Sequence, residues 1–364
     1  MRGTISKIAI AMGALMLSAA GCAVDGAAVA EPAAQGTIGI TLPTTARPRW
    51  VKDGDNMKKQ FELLGYTTDL KYAEDDAAAQ ADQVEEMVDN GVEALIIAAI
   101  DGPLMKDALE KAAADDIPVI SYDRLIRGTP NVDYYATFDN FRVGVLQGKA
   151  IVDRLKLATA KGPFNLELFA GSPTDNNATF FFNGAMSVLR PHISSGKLVL
   201  RSGKHEFADV STVGYERKLA QTRMAGLLTK HYGSAPLHAV LSPLDRMSLG
   251  ITDALKAGGY GTAAKPLPVI TGQDVEVDSV KLIAGGGGQV QTVFKDTREL
   301  AKVAVRMTDM LLRGETPPVN DTEQYHNGVK VMSTFLLQPV EVDKSNYQRI
   351  LVDGGYYTAE QLSG

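Results

Sequence analysis

From Thr37 onward, short apolar runs alternate with longer amphipathic segments along almost the whole chain, and this alternation constrains the fold most strongly. Runs such as residues 37–42 and 92–99 have the length and composition of buried strands. Residues 50–64 carry apolar side chains on one face and are followed by Gly65, as is typical of an amphipathic helix. Strands that alternate with helices form βαβ units, whose strands are parallel. The sequence therefore predicts an α/β protein.

The same pattern starts again after Asn140, so the chain contains two successive copies of one architecture. A chain of 364 residues exceeds one ordinary core, and we expect about two domains. Strands are predicted at residues 37–42, 66–72, 92–99, 119–122, 134–138, 164–169, 197–202, 237–241, 267–271 and 289–294. Helices are predicted at residues 50–64, 77–90, 103–115, 141–155, 176–193, 218–231, 247–257, 277–284 and 299–312. Residues 325–337 are predicted to form paired closing strands around the turn Asn327-Gly328.

The composition is that of a soluble globular protein, with 45% hydrophobic and 22% charged residues. The formal net charge is −6, and the Lys and Arg residues are scattered among acidic residues, which argues against a nucleic-acid partner. The five histidines show no metal-ligand spacing. The sequence contains neither a phosphate-binding P-loop nor a serine nucleophile elbow. We therefore expect no cofactor and no metal site.

The N-terminus predicts export. Arg2 and Lys7 precede an apolar run at residues 8–20, which is too short for a membrane-spanning helix but typical of a signal peptide at residues 1–21. The run ends in Ala-Ala-Gly-Cys at residues 19–22, which resembles a bacterial lipobox, so Cys22 is the candidate for lipidation. Cleavage after Ala30 is the alternative. The Ala-rich residues 22–36 are interpreted as a tether, and the protein is expected in the cell envelope, either as a membrane-anchored lipoprotein or free in the periplasm.

Polar side chains follow several predicted strands at the point where each strand ends. Asp123-Arg124 and Asp139-Asn140 follow two apolar runs, and Asp245, Gln273-Asp274 and Lys295 follow three later ones. In open α/β sheets, ligands bind at the carboxyl ends of the strands. A hydroxyl group both donates and accepts hydrogen bonds, whereas Asp only accepts, Arg only donates and Asn does both. The set therefore predicts a polar cavity for a small polyhydroxylated ligand.

Arg49 and Trp50 follow the first strand and add two further candidates. The guanidinium fork of Arg49 suits two adjacent hydroxyl groups, and the apolar C–H face of a sugar ring could stack on the indole of Trp50. Other interpretations of these motifs stay open. Asp123 and Asp139 could act as helix N-caps. Residues 171–177 could form a capped turn or an anion site, and two of the carboxylates could act as a glycosidase pair.

Seven segments carry a resemblance to a known family: ARPRW at 46–50, ISYDRLI at 120–126, YYATFDNFRVG at 134–144, LFAGSPTDNNA at 168–178, LSPLD at 241–245, TGQD at 271–274 and VFKDTRELA at 293–301. They resemble the bacterial periplasmic sugar-binding proteins of ABC importers, of the type I fold, and among them the group of multiple-monosaccharide and D-xylose-binding proteins.

The resemblance implies two Rossmann-like doubly wound lobes that close over one sugar and are joined by three hinge crossings, near residues 139–143, 271–275 and 325–331. The N-terminal lobe would comprise residues 37–139 plus 275–325, and the C-terminal lobe residues 140–271 plus 331–357. The partners implied are a pentose or hexose, such as xylose, glucose, galactose or arabinose, and an ABC permease. The protein is expected to be a monomer.

By the same similarity, the ligand-binding residues would be Arg49, Trp50, Asp123, Arg124, Asp139, Asn176, Asn177, Tyr215, Asp245, Gln273, Asp274 and Lys295. One departure concerns the stretch Tyr215-Glu216-Arg217-Lys218-Leu219, where Leu219 replaces an amide that binds sugar in the xylose protein. The resemblance implies a binding protein without catalytic activity. The alternatives are a receptor that signals to a membrane sensor or chemoreceptor, a sugar-responsive transcription regulator, which the signal peptide argues against, and a secreted glycosidase.

Overall fold

The computed structural model describes residues 36–363, in two parallel β-sheets and one two-stranded antiparallel sheet, flanked by helices. The predicted signal peptide, tether and lipidation site at Cys22 lie outside these residues, apart from Gly36. The strands are β1 (Thr37–Leu42), β2 (Thr67–Tyr72), β3 (Ala94–Ile97), β4 (Val119–Tyr122), β5 (Tyr134–Phe138), β6 (Phe164–Leu168), β7 (Leu198–Val199), β8 (Ala239–Leu241), β9 (Val269–Ile270), β10 (Gln291–Phe294), β11 (Ser333–Leu337) and β12 (Val340–Asp343). The helices are α1 (Pro48–Leu63), α2 (Ala77–Asp89), α3 (Lys106–Ala114), α4 (Asn140–Arg154), α5 (Asn176–Ser194), α6 (Phe207–Val210), α7 (Arg217–His231), α8 (Asp245–Ala257), α9 (Val277–Gly285), α10 (Thr297–Leu312) and α11 (Ala359–Leu362).

The first lobe is built on a six-stranded sheet with the order β11-β5-β4-β3-β1-β2, in which all neighbours are parallel. Alternate side chains of each strand point to opposite faces of the sheet. Ile38, Ile40 and Ile96 therefore pack with α1 and α10 on one face. Leu95 and Ile97 pack with α2 and α3 on the other face. Because both faces are covered, the strands are nearly continuous apolar runs.

The second lobe contains the parallel sheet β7-β6-β8-β9. Single bridges from Ile270 to Gln289 and from Gln273 to Val293 continue this sheet towards β10, which pairs antiparallel with β12. Helices α4 and α5 cover this lobe and pack closely against each other at their glycines. A Cβ on Gly144 would lie 1.9 Å from the carbonyl oxygen of Phe181, so glycine is required for this close approach.

The chain passes between the lobes three times, and two of these crossings differ from the prediction. The first follows β5 at Asp139, as expected. The second falls between β10 and α10 rather than at 271–275, because residues 275–294 continue the second sheet instead of joining the first lobe. The third falls between β11 and β12 rather than at 325–331, because β11 pairs with β5 of the first lobe. An apolar run predicts a strand but does not state which sheet the strand joins.

The predicted pairing at residues 325–337 forms only in part. Around the turn Asn327-Gly328, antiparallel bridges join His326 to Val331 and Asp321 to Thr334. The rest of the segment becomes β11 and takes a parallel partner. Strand β12, a short edge strand, was not predicted. Within residues 36–363, no helix is both long enough and apolar enough to cross a bilayer.

Candidate functional site

A cavity of about 660 Å³ lies between the carboxyl ends of the two sheets. Nine of the twelve predicted ligand-binding residues line it: Arg49, Trp50, Asp123, Arg124, Asn177, Tyr215, Gln273, Asp274 and Lys295. The other three, Asp139, Asn176 and Asp245, do not. The cavity walls come from both lobes, as the strand-end argument requires.

Arg49 is the centre of the charged network on the first-lobe side. Its guanidinium donates to Oδ2 of Asp123 at 2.7 Å and lies 3.4 Å from Asp53 and 3.9 Å from Asp274. Burial opposes the charge of Arg49, but these three carboxylates together raise its pKa well above the ordinary value. Burial likewise opposes the charge of Asp123, yet Arg49 and Lys295 hold the pKa of its carboxyl below the usual value. Both groups are therefore charged and fixed before a ligand arrives.

Lys295 and Asp274 form a second ion pair, from the hinge side of the cavity. Their Nζ and Oδ1 atoms are 3.1 Å apart, and only 5% of Lys295 is exposed. The ammonium group also lies 5.5 Å from the ring centroid of Phe181. Arg49 and Lys295 thus each have a carboxylate neighbour, and this part of the cavity alternates donors with acceptors. A neutral ligand that donates and accepts hydrogen bonds suits such a surface better than a charged ligand does.

Arg124 differs from the other two cations. Within the described residues no carboxylate lies within 4 Å of its guanidinium, and its only side-chain hydrogen bond goes to the carbonyl of Ala99 at 3.3 Å. Most of its five donors are therefore free for a ligand.

Trp50 is only 2% exposed, and the Arg49 guanidinium lies 4.1 Å from the centroid of its ring. One face of the indole is thus covered by protein. The prediction that Trp50 offers its face to a sugar ring is therefore limited to the other face. Arg124 also lies within cation–π distance of the indole, 5.5 Å from the ring centroid.

Asn177 joins the lobes. Its Nδ2 donates to the carbonyl of Asp123 at 2.8 Å, and its Oδ1 accepts from Asn140 at 2.9 Å and lies 3.0 Å from the hydroxyl of Tyr135. Asn177 belongs to α5 of the second lobe, whereas Asp123 and Tyr135 belong to the first. Tyr215, also of the second lobe, donates its hydroxyl to Asp175 at 2.8 Å. The amide of Asn177 thus holds the lobes together at the edge of the cavity.

The three predicted residues outside the cavity have structural contacts. Asp139 is the N-cap of α4, with its Oδ1 accepting from the backbone N–H of Arg142 at 2.8 Å, so the capping interpretation holds for it. Asn176 is the first residue of α5. Asp245 is fully buried and accepts hydrogen bonds from Gln289 and Thr292 and from the backbone N–H of Glu276. We therefore leave these three out of the ligand set.

Backbone strain is concentrated at this site. Asp123, Tyr215, Asp274 and Val275 have φ values of 60°, 55°, 82° and 50°, in the left-handed region that non-glycine residues rarely adopt. Each such residue costs on the order of 1–3 kcal/mol and persists only where its surroundings hold it. For Asp123, the carbonyl accepts from Tyr135, Thr137 and Asn177. This conformation turns its carboxylate towards Arg49.

Sequence reasoning missed several lining residues, among them Lys52, Asp175, Arg246, Glu276, Tyr356 and Tyr357. None of these follows a predicted strand directly, so the rule that located Asp123 and Lys295 does not reach them. The adjacent aromatic pair Tyr356-Tyr357, near the C-terminus, is the one visible signal among them. No group of His, Cys, Asp or Glu side chains in residues 36–363 is arranged to hold a metal ion.

Comparison with known proteins identifies the relatives of this chain. A family model for the periplasmic binding protein domain matches residues 38–316. The chain is 56% identical to the multiple sugar-binding periplasmic receptor ChvE of Rhizobium radiobacter, over 92% of this chain and 94% of that protein. It is 32% identical to the D-xylose-binding periplasmic protein of Escherichia coli K12, over the same shares of the two chains.

Among solved structures, an ABC transporter solute-binding protein from Clostridium phytofermentans with bound β-D-glucose is similar in fold and sequence. The TM-score is 0.85 and the identity 44%, over 90% of this chain and all of that one.

Proposed function

The chain belongs to the periplasmic binding protein family, and on that premise we propose that it is the substrate-binding component of an ABC sugar importer. It would bind one pentose or hexose between its lobes and deliver it to a membrane permease as a monomer. The resemblance seen in the sequence and the α/β fold with parallel sheets are both confirmed by the comparisons.

The observation that carries this proposal is the alternation of charged donors and acceptors around the cavity between the lobes. Arg49 and Lys295 are held by Asp123 and Asp274, and Arg124 is free to donate. A sugar hydroxyl can donate to a carboxylate and accept from a guanidinium at the same time. Because these side chains are fixed by their ion pairs, little side-chain entropy is lost when a sugar binds. The relatives named for sugars support a ligand of this class.

Binding by lobe closure is supported by contacts that join the lobes at the cavity. Asn177 bonds across it, and Arg49 of the first lobe lies 3.9 Å from Asp274 of the second. A ligand that contacts both lobes favours the closed arrangement by its difference in affinity for the two states. The site has no need of catalysis, and we propose that the protein returns its sugar chemically unchanged.

The proposal is tested by isothermal titration of a fragment of residues 36–364 with arabinose, xylose, glucose, galactose, fucose and ribose, with amino acids as controls. We expect saturable binding of one or a few sugars, and recovery of the sugar intact by chromatography. The matched control is Arg142→Ala, an exposed arginine of α4 that does not line the cavity, beside Arg124→Ala. Absence of binding to every sugar, or release of product from aryl glycosides, would refute the proposal.

A sensory role is the second candidate, because the Rhizobium radiobacter relative is named a receptor. A strain without this protein distinguishes the two roles. Loss of growth on the bound sugar indicates import, whereas loss of a sugar-induced response with normal growth indicates sensing.

Export and lipid attachment at Cys22 are proposed from the sequence pattern alone. Incorporation of labelled palmitate into the wild-type protein, and its loss in Cys22→Ser, is the expected result. Equal labelling of both proteins, or of neither, would leave cleavage near Ala30 as the better interpretation.

A further inference from the structure

The last residues of the described chain reach the sugar cavity although they belong to neither sheet. Tyr356, Tyr357 and Gln361 line the cavity alongside the strand-end residues. The two tyrosines are adjacent in sequence, and their rings meet edge to face with centroids 4.9 Å apart. This C-terminal segment, residues 354–362, thus forms a side of the cavity that neither lobe's strands supply.

The segment is fastened to the first lobe. Arg298, in the first turn of α10, donates from Nη1 to the carbonyl of Gly355 at 2.9 Å and to that of Gly354 at 3.2 Å. Asp296 holds the same guanidinium at 2.7 Å. The ammonium group of Lys52, on α1, lies 5.5 Å from the ring centroid of Tyr356 and 5.0 Å from that of Tyr357. Both contacts are within the range of cation–π attraction.

The segment is also fastened to the second lobe. The ring of Tyr356 packs edge to face on Phe294 of β10, with centroids 4.8 Å apart. Both tyrosines and Leu362 pack with a cluster that includes Val280 of α9 and Val342 of β12. Residues 354–362 therefore contact both lobes next to the second hinge crossing, and their position depends on how the lobes are arranged.

The tyrosines extend the apolar surface of the cavity, to which Phe181, Leu244 and Leu249 also contribute. Sugar sites need apolar surface for the C–H faces of the ring as well as hydrogen-bonding groups. One face of Trp50 is covered by Arg49, whereas Tyr356 and Tyr357 are half-buried at the cavity. Burial raises the pKa of Tyr356 to about 12, so its phenol remains a hydrogen-bond donor at neutral pH.

We propose that Tyr356 and Tyr357 form an aromatic wall of the sugar site and determine how tightly, and which, monosaccharides bind. The inference deepens the proposed sugar-binding function and rests on it. The wall gives the C-terminal segment a role in ligand recognition, beyond covering the apolar cluster that contains Val280, Val342 and Leu351.

The experiment compares Tyr357→Ala, Tyr357→Phe and Tyr347→Ala with the wild-type protein, by titration with D-glucose and D-xylose. Tyr347 packs on the same cluster but does not line the cavity, so it is the matched control for lost packing. We expect Kd to rise about ten- to a hundred-fold in Tyr357→Ala, as when a buried aromatic contact is removed. We expect a smaller rise in Kd in Tyr357→Phe. The ratio of the Kd values for glucose and xylose changes in this variant only if the Tyr357 hydroxyl bonds to one of the sugars. We expect wild-type affinity in Tyr347→Ala.

Wild-type affinity in Tyr357→Ala, or an equal loss of affinity in Tyr347→Ala, would refute the proposed aromatic wall and leave the proposed function intact. Absence of sugar binding by the wild-type protein would refute the proposed function, and the wall with it. Circular dichroism checks that each variant is folded. If Tyr357→Ala does not fold, Tyr357→Leu keeps apolar volume without an aromatic face and carries the same expectation.

Discussion

Replacing Asn177 by alanine tests whether sugar affinity depends on a contact between the lobes. The side chain is 2% exposed, and its amide bonds to Asp123, Asn140 and Tyr135. The hydroxyl of Tyr135 also bonds to the carbonyl of Asp123 at 2.6 Å, and Nδ2 of Asn140 keeps its contact with Thr137 at 3.3 Å. The groups that bond to Asn177 would thus lose only part of their hydrogen bonds.

We therefore expect a cost of about 2 kcal/mol, from hydrogen bonds worth roughly 0.5–1.5 kcal/mol each. Because the bonds to Asp123 and Tyr135 join the lobes, this cost falls on the closed state, and Kd rises roughly thirty-fold. The measurement is calorimetric titration with the best sugar of the panel. Asn183→Ala, an exposed asparagine of the same helix α5, is the control and should bind as the wild type does.

A direct contact between Asn177 and the sugar would also weaken binding, so a double-mutant cycle with Tyr135→Phe separates the two explanations. Tyr135 is fully buried and does not line the cavity. If Asn177 acts by joining the lobes, Tyr135→Phe alone raises Kd by about fivefold, and the two changes couple by about 1 kcal/mol. Unchanged affinity in Tyr135→Phe with additive effects in the double variant would refute the reasoning.

Three further changes follow from the site. Arg124→Ala should lose sugar binding by at least about tenfold with an unchanged melting temperature, because its side chain has few protein partners; calorimetry and a thermal melt check both. Asp245→Ala should instead lower the free energy of unfolding by about 2–4 kcal/mol in urea melts, since it leaves buried donors unpaired. The folded fraction should keep its sugar affinity in titrations. Lost affinity at full stability would contradict this. Burial raises the pKa of Asp53 to about 6, so this carboxyl binds a proton more tightly in the folded protein than in the unfolded chain. The stability that comes from this proton is present below about pH 4 and is lost as the pH rises from about 4 to 6. Asp53→Asn should remove about 2 kcal/mol of this pH dependence, measured as the difference between urea melts at pH 4.5 and 7; parallel curves for the two proteins would disprove it.

The candidate site was predicted best where it depends on local sequence. Asp123 and Lys295 follow apolar runs, and parallel strands bring their carboxyl ends to one edge, so both reach the cavity. Asp245 follows a run in the same way, yet its carboxylate turns inward to Gln289 and Thr292. Burial raises the pKa of that carboxyl well above the usual value, as expected of a carboxylate without a cation beside it. The position of a residue along the chain does not determine the direction of its side chain.

The same distinction explains the lobe boundaries. Most strands of the first sheet are visible in the sequence as short apolar runs, but the partner of β11 is β5, almost 200 residues earlier. No nearby residue encodes that choice. The C-terminal tyrosines are a further case, because contacts with distant residues such as Lys52, Phe294 and Arg298 hold them at the cavity.

The sequence by itself determined the α/β class, the alternation of strands and helices, and the donor and acceptor types delivered to the strand ends. These properties follow from periodicity and residue chemistry, which act over a few residues. The tertiary structure alone decided which sheet each strand joined, which of the polar side chains faced the cavity, and which residues beyond the strands completed its walls. Those outcomes depend on pairing and packing between distant segments, whose free energies are set by the whole fold.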